Sequence, residues 1–107
     1  MRWYDTLYLG ETVKNARRIK WKLNHNAGVL GVYVIAFASN PKNLLDIIPS
    51  WELKQKAYPK ADMKIIGLAG SYEEAIELVR SIVVETYEHT GGVNIWNYLK
   101  EDRRMVQ

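Results

Sequence analysis

Met63-Lys64-Ile65-Ile66-Gly67-Leu68-Ala69, followed by Gly70-Ser71-Tyr72-Glu73-Glu74, is the stretch on which the fold turns. Nearly every position of the first segment is apolar or small, and Ile65 and Ile66 are β-branched, which predicts a strand covered on both faces. Gly70 permits a turn. Ser71 with Glu74 three residues on is a capping box, in which hydroxyl and carboxylate each take a free backbone N–H, so a helix is expected from Tyr72. Ala75, Ile76, Val79, Ile82, Val83, Thr86 and Tyr87 recur at spacings of three and four and form an apolar stripe for a core. Glu73, Glu77, Arg80 and Glu88 lie opposite. Val84 falls on that charged side, where an apolar residue is exposed unless something covers it. Gly91-Gly92 supplies a residue able to take positive φ past the helix end. A glycine turn before a helix also suits a phosphate, but Glu73 and Glu74 in the first turn repel an anion, and the capping reading is preferred.

Working outward, residues 29–38 alternate as a strand, with Leu30, Val32, Val34, Ala36 and Ala38 on one face and Tyr33, Ile35 and Phe37 on the other. Both faces are apolar, so the second is expected to be covered by another element or another subunit. Ser39-Asn40-Pro41 breaks this strand. Residues 44–48 read as a strand antiparallel to it, with a short helix capped by Asn40 as the alternative. Residues 51–58 suit a helical turn or two closed by Pro59. That connection is short for a parallel crossover, so the Met63 strand is expected to be antiparallel as well. Asn94 can cap a short final helix that turns Ile95, Trp96 and Leu99 inward, and the tail from Glu101 is expected to fray. Near the N-terminus, residues 6–9 suggest a short strand. In residues 11–23, Val13, Ala16, Ile19 and Leu23 fall at helical spacing with Thr12 as a cap, while Ile19, Trp21 and Leu23 also alternate with Arg18, Lys20 and Lys22. Helix is preferred on the propensities of residues 14–18, with a strand over 18–24 as the alternative.

At 107 residues, 48% hydrophobic and 25% charged, residues 1–107 are read as one globular domain. The absence of cysteine excludes disulfides, thiolate metal sites and cysteine nucleophiles. No signal-like stretch opens the chain and no apolar run approaches about 18 residues, so a cytoplasmic protein with no membrane partner is expected. Residues 1–60 carry ten Lys/Arg against four Asp/Glu, or +6, and residues 61–107 five against eight, or −3.

The basic charge concentrates in residues 11–25, where five Lys/Arg against one Glu give +4. On a helix, Lys14, Arg17, Arg18, Trp21 and Lys22 would make a basic surface with an embedded aromatic, able to hold phosphates and stack on a base. Residues 71–90 carry five Glu against one Arg, or −4, and would neutralise that surface if the two helices lay side by side. His25 and His89 have no second ligand at i+3 or i+4, so no metal site is expected, and His89 is read as a helix C-terminal residue. No serine has a Gly-x-Ser-x-Gly setting, and Glu73 with Glu77 is the pattern of a solvated face. No cofactor and no catalytic constellation are expected. Trp51 and Tyr58 suit a core edge better than a pocket or interface.

The order helix, three strands, helix resembles the double-stranded-RNA-binding domain in topology. That family places a lysine-rich motif at its second helix, where this chain has Ser71-Tyr72-Glu73-Glu74, so no binding residue carries over. Thr6-Leu7-Tyr8-Leu9-Gly10, Ala38-Ser39-Asn40-Pro41, Ile65-Ile66-Gly67-Leu68-Ala69 and Thr90-Gly91-Gly92 are similar to a group of small bacterial proteins described only as hypothetical. The resemblance implies a bacterial cytoplasmic origin and no activity.

The reading is an α+β fold: an antiparallel sheet of three or four strands carrying a long amphipathic helix, a basic N-terminal helix and a short C-terminal helix. The expected function is a non-enzymatic module that self-associates as a homodimer through Tyr33, Ile35, Phe37 and Val84. The alternative is nucleic-acid binding by Lys14, Arg17, Arg18, Trp21 and Lys22.

Overall fold

A computed structural model describes residues 1–27, 29–38, 44–54, 63–102, 105 and 106. The chain is α+β. In order it forms β1 (Arg2–Leu9), α1 (Ala16–Asn24), β2 (Tyr33–Phe37), β3 (Leu45–Pro49), a 3-10 helix (Ser50–Lys54), β4 (Lys64–Ala69), α2 (Tyr72–Thr90), α3 (Ile95–Asp102) and the two-residue β5 (Met105–Val106). The strands make one sheet in the order β3-β2-β4-β1-β5.

The β2–β3 and β2–β4 pairs are antiparallel, as expected, the β1–β5 pair is antiparallel too, and β1 runs parallel to β4. The sheet is therefore mixed. The difference comes from β1, which begins at Arg2 rather than Thr6 and lies inside the sheet. Its presence before α1 also departs from the helix, three strands, helix order. Residues 105 and 106 pair with β1 where a fraying tail is expected.

β4 is the buried strand its composition predicts, with Ile65, Ile66, Leu68 and Ala69 all essentially inaccessible. A bulge shifts its register, since Ile35 pairs with Gly67 and Ala36 with Ile65. Gly67 is constrained there, because a Cβ would come within 3.0 Å of the Tyr8 carbonyl and 3.5 Å of Ile35 and Leu78.

The two apolar faces of the sheet are covered by different helices. On one face, Trp3, Val32, Val34, Ala36, Ile48, Ile65 and Leu68 form a core with Leu23 of α1 and Leu53 of the 3-10 helix. On the other, Tyr4, Ile35, Ile66 and Ala69 meet Ala75 and Ile82 of α2 and Ile95 and Leu99 of α3. The result is a three-layer arrangement with α1 and α2 on opposite sides.

Local signals explain the helix ends. Ser71 caps α2 by accepting from the Glu74 N–H at 3.0 Å, and Gly91 ends it in the left-handed region at φ 77°. Asn94 caps α3 by accepting from the Asn97 N–H at 3.1 Å. Residues 16–24 are helix and not strand, but the cap is Asn15, whose Oδ1 accepts from Arg18 N–H. Thr12 is not the cap because its hydroxyl and N–H are engaged by Glu74. The strand expected over 29–38 starts at Tyr33, because Gly31 turns the chain at φ 72° and leaves Leu30 outside the sheet. Residues 51–54 are the expected helical turn. The readings of Ser39-Asn40-Pro41, Tyr58 and Pro59 lie outside the described residues.

Candidate functional site

The core side of α2 is rotated from the expected stripe. Ala75, Ile82 and Thr86 are fully buried, while Ile76 and Tyr87 are 44% and 60% exposed. A polar junction occupies the other flank. Glu85 Oε2 accepts from Tyr8 OH at 2.6 Å and from Tyr98 OH at 2.8 Å, tying α2 to β1 and α3. Burial, and then this hydrogen bond, push the Tyr8 phenol far above its ordinary value, so it remains a donor at physiological pH. With Glu85 held against β1, the helix presents Tyr72, Ile76, Val83 and Tyr87 toward the β3 side. Tyr72 meets Tyr33 edge-on there, at 6.0 Å between ring centroids.

Tyr33, Ile35 and Phe37 do not form an open surface. Ile35 is fully buried beneath α2, and Phe37 packs edge-on against Trp96 of α3 at 5.1 Å. Helices of the same chain cover Ile35 and pack on Phe37, so the apolar character of this face does not itself require a second subunit. Tyr72 at 50%, Ile76 and Tyr87 leave an apolar flank along α2, and Val84, 48% exposed, lies beyond Arg80 on the charged side of the helix. At the foot of that flank Leu45 and Ile47 of β3 are only half-buried. Among the described residues, β3 is the end of the sheet.

The basic residues gather on the opposite side. Arg17 and Arg18 are exposed on α1, Lys14 is exposed in the loop before it, and Lys22 is half-buried. Trp21 is 58% exposed with the His25 ring stacked on it at 4.2 Å. The His25 Nδ1 is held by the Trp21 carbonyl at 2.7 Å. Lys20 has a structural partner, its Nζ lying 5.6 Å above the buried Trp3 ring. The 3-10 helix packs beside α1 and adds Trp51, 60% exposed, and Lys54. α2 is on the far face of the sheet, and its Glu74 reaches the loop before α1 at Thr12.

The start of α2 is closed by its own carboxylate. Glu74 accepts from Gly70 N–H at 2.7 Å, from Thr12 N–H at 3.1 Å and from the Thr12 hydroxyl at 2.9 Å. The capping box is thus extended by one residue toward Gly70 and across to the loop after β1. Gly10 makes room for it, since a Cβ there would overlap the Glu74 carboxylate. The Gly70 bond, followed by those from Thr12, lowers the Glu74 pKa. A carboxyl with a depressed folded pKa stabilises the fold at pH above its unfolded pKa, and the contribution is lost as pH falls through the folded value. Wild type is therefore expected to exceed Glu74→Gln in stability at neutral pH, with the gap closing on acidification below the ordinary glutamate range. Urea melts of both proteins across that range check this; a gap independent of pH would contradict it.

A depression of about 460 Å³ beside this clamp is lined by Leu9, Gly10, Glu11, Glu73, Glu74, Glu77, Leu78 and Ser81. Another of about 350 Å³ lies among Phe37, Ala38, Leu44, Lys64 and Trp96, with Lys64 Nζ 5.6 Å above the Trp96 ring. Among the described residues no cluster of three or more His, Asp or Glu is arranged to hold a metal ion, and no helix is long and apolar enough to cross a membrane. His89 hydrogen-bonds through Nδ1 to the Glu85 carbonyl at 2.8 Å, at the end of α2.

Sequence reasoning does not reach the Glu85 junction or the Glu74 clamp, whose partners are 77 and 62 residues apart. Each has a faint local mark only: Tyr4 and Tyr8 on one strand, and Gly10 before Thr12. Comparisons with protein-family models, with curated proteins and with solved structures gave no match. The resemblance to small bacterial proteins gains no support from them.

Proposed function

We propose that this chain is a non-enzymatic interaction module that self-associates along the β3 end of its sheet, with the apolar flank of α2 closing over the seam. The reading is carried by the α2 flank, where Tyr72, Ile76 and Tyr87 are each 44–60% exposed, on the side of the half-buried Leu45 and Ile47, with Val84, 48% exposed, on the adjoining charged side. These exposed side chains lie beside the strand that ends the sheet among the described residues, and a strand edge pairs readily with other chains. Antiparallel pairing of β3 with its own copy satisfies two-fold symmetry, keeps the sheet continuous and brings the two α2 flanks together. A second copy carries the same edge and the same flank, so an isologous contact can cover both without a different partner. Sedimentation equilibrium across a micromolar concentration series tests this. A mass rising from 12.4 kDa to twice that value is expected; a constant monomer mass at high micromolar concentration contradicts it.

A further inference from the structure

The α1 surface stands apart from the α2 flank, on the other face of the sheet, and its chemistry is different. We infer that it is a binding site for single-stranded nucleic acid, in which Arg17, Arg18 and Lys14 hold phosphates while Trp21 stacks on a base. Three observations carry this. First, residues 11–25 and 50–54 together hold six Lys/Arg against Glu11 and Glu52, a net +4, and α2 packs on the other face of the sheet, its first turn reaching the loop before α1 through the Glu74–Thr12 bonds. Among the described residues, the cations of α1 itself therefore share their face of the sheet with no acidic helix. Second, helical spacing puts Trp21 four residues after Arg17 and three after Arg18, so both guanidinium groups flank the exposed indole. Third, that indole is supported. His25 stacks on it at 4.2 Å with 22° between the planes, and His25 is itself fixed by the Trp21 carbonyl.

A large indole that is 58% exposed, braced from behind and bordered by cations has no packing role in the core that Leu23 and Lys20 already serve. It suits a π-face that meets it from solvent, and nucleobases present one regardless of sequence. Trp51, 60% exposed on the adjoining 3-10 helix, offers a second ring for the same strand, with Lys54 near it in sequence. An unpaired strand is favoured over a duplex, because bases inside a helix are already stacked and cannot reach an aromatic ring. A groove of cations with stacking rings accommodates several nucleotides with little sequence preference.

The test is fluorescence anisotropy of labelled thymidine and uridine oligomers of about 16 nucleotides, titrated with the intact chain at several salt concentrations. Binding is expected to weaken as salt rises. Arg17→Ala/Arg18→Ala is expected to weaken it at least about tenfold and to reduce the log–log salt slope by about 1.4, the share of two phosphate contacts on a single strand. Trp21→Ala should weaken it by roughly fivefold or more, and Trp21→Phe less, since a smaller π-face remains. Arg80→Ala, which removes one cation from the opposite face, should leave the affinity within about twofold of wild type. These positions are exposed, and circular dichroism of each variant confirms the fold. Absence of binding at low salt overturns the inference, as does binding that ignores the α1 substitutions. Equal affinity for a duplex that is indifferent to Trp21→Ala overturns the single-strand assignment.

Discussion

Replacing Trp3 by alanine is expected to lower the unfolding free energy by about 3–5 kcal/mol, the usual range for a large aromatic removed from a core. Trp3 is fully buried and joins several elements at once. It pairs with Ile65 of β4 on one side and with residue 106 of β5 on the other. Its Nε1 donates to Asn24 Oδ1 at the end of α1 at 2.9 Å, and Lys20 of α1 lies over its ring. Removing the indole leaves a void between α1 and the sheet and breaks the one side-chain hydrogen bond from β1 to that helix among those described. Since domains of this kind are stable by only about 5–15 kcal/mol, the loss would unfold a marginal protein. Trp3→Phe keeps much of the volume and gives up the hydrogen bond, and should cost about 1–2 kcal/mol. The urea midpoint at unchanged m-value measures both. A loss under about 1 kcal/mol for alanine, which is typical of a surface change, would mean that α1 is not seated on β1.

Introducing charge on the α2 flank is expected to have its effect on association instead. Tyr72 and Tyr87 are 50% and 60% exposed, which leaves on the order of 100 Å² of each in water. At about 25 cal/mol per Å², covering both in each protomer contributes roughly 5 kcal/mol per chain, of the order of the cost of joining two molecules. Neither strand pairing nor the flank is then sufficient alone. Ile76→Asp/Tyr87→Asp removes apolar area and places a carboxylate from each position at the seam without a partner. An unpaired buried charge costs about 3 kcal/mol or more, so dimerisation should weaken by at least about 100-fold. Both positions are exposed in one chain, and the thermal midpoint of the monomer should change by no more than a few degrees, as for other surface substitutions. Sedimentation of the variant at the concentration where wild type is dimeric checks the first expectation, and calorimetry of the dilute proteins the second. Unaltered dimer mass in the variant would locate the contact elsewhere.

The parts of the fold that could be read in the chain are those set by local periodicity. β4 announces itself by an unbroken apolar run, and α2 by Ser71, Glu74 and Gly91 at its ends. β2 shows the alternation of Val34 and Ala36 against Ile35 and Phe37, and the structure buries one set on each side of the sheet. What could not be read is which element covers which face. Two apolar faces on β2 are compatible with a second subunit or with helices on both sides, and only the placement of α1 against Trp3 and of α2 against Ile35 distinguishes them. The expectation of a seam at Tyr33, Ile35 and Phe37 rests on the first of these, whereas the structure covers Ile35 with α2 and packs α3 on Phe37. The same placement changes the electrostatic argument, because helices on opposite faces neutralise each other less than helices side by side. The parallel β1 was obscured because its register with β4 is interrupted between Trp3 and Tyr8, leaving Asp5 and Thr6 exposed in mid-strand. Its sequence consequently lacks the clean period of two. The rotation of α2 depends on Glu85, whose phenolic partners are contributed by β1 and α3, and no spacing within the helix marks it.

The claim most exposed to test is that β3 is the joining edge. Amide hydrogen exchange of Leu45, Asp46, Ile47 and Ile48, followed below and above the association midpoint, reads it directly. In an antiparallel ladder alternate amides face the neighbouring strand and the rest face outward, so the amides not bonded to β2 should be fast in the dilute protein. They should become protected as the mass doubles, in step with it. Outward amides of β3 that exchange at one rate on both sides of the midpoint, while the mass still doubles, would contradict the proposed seam.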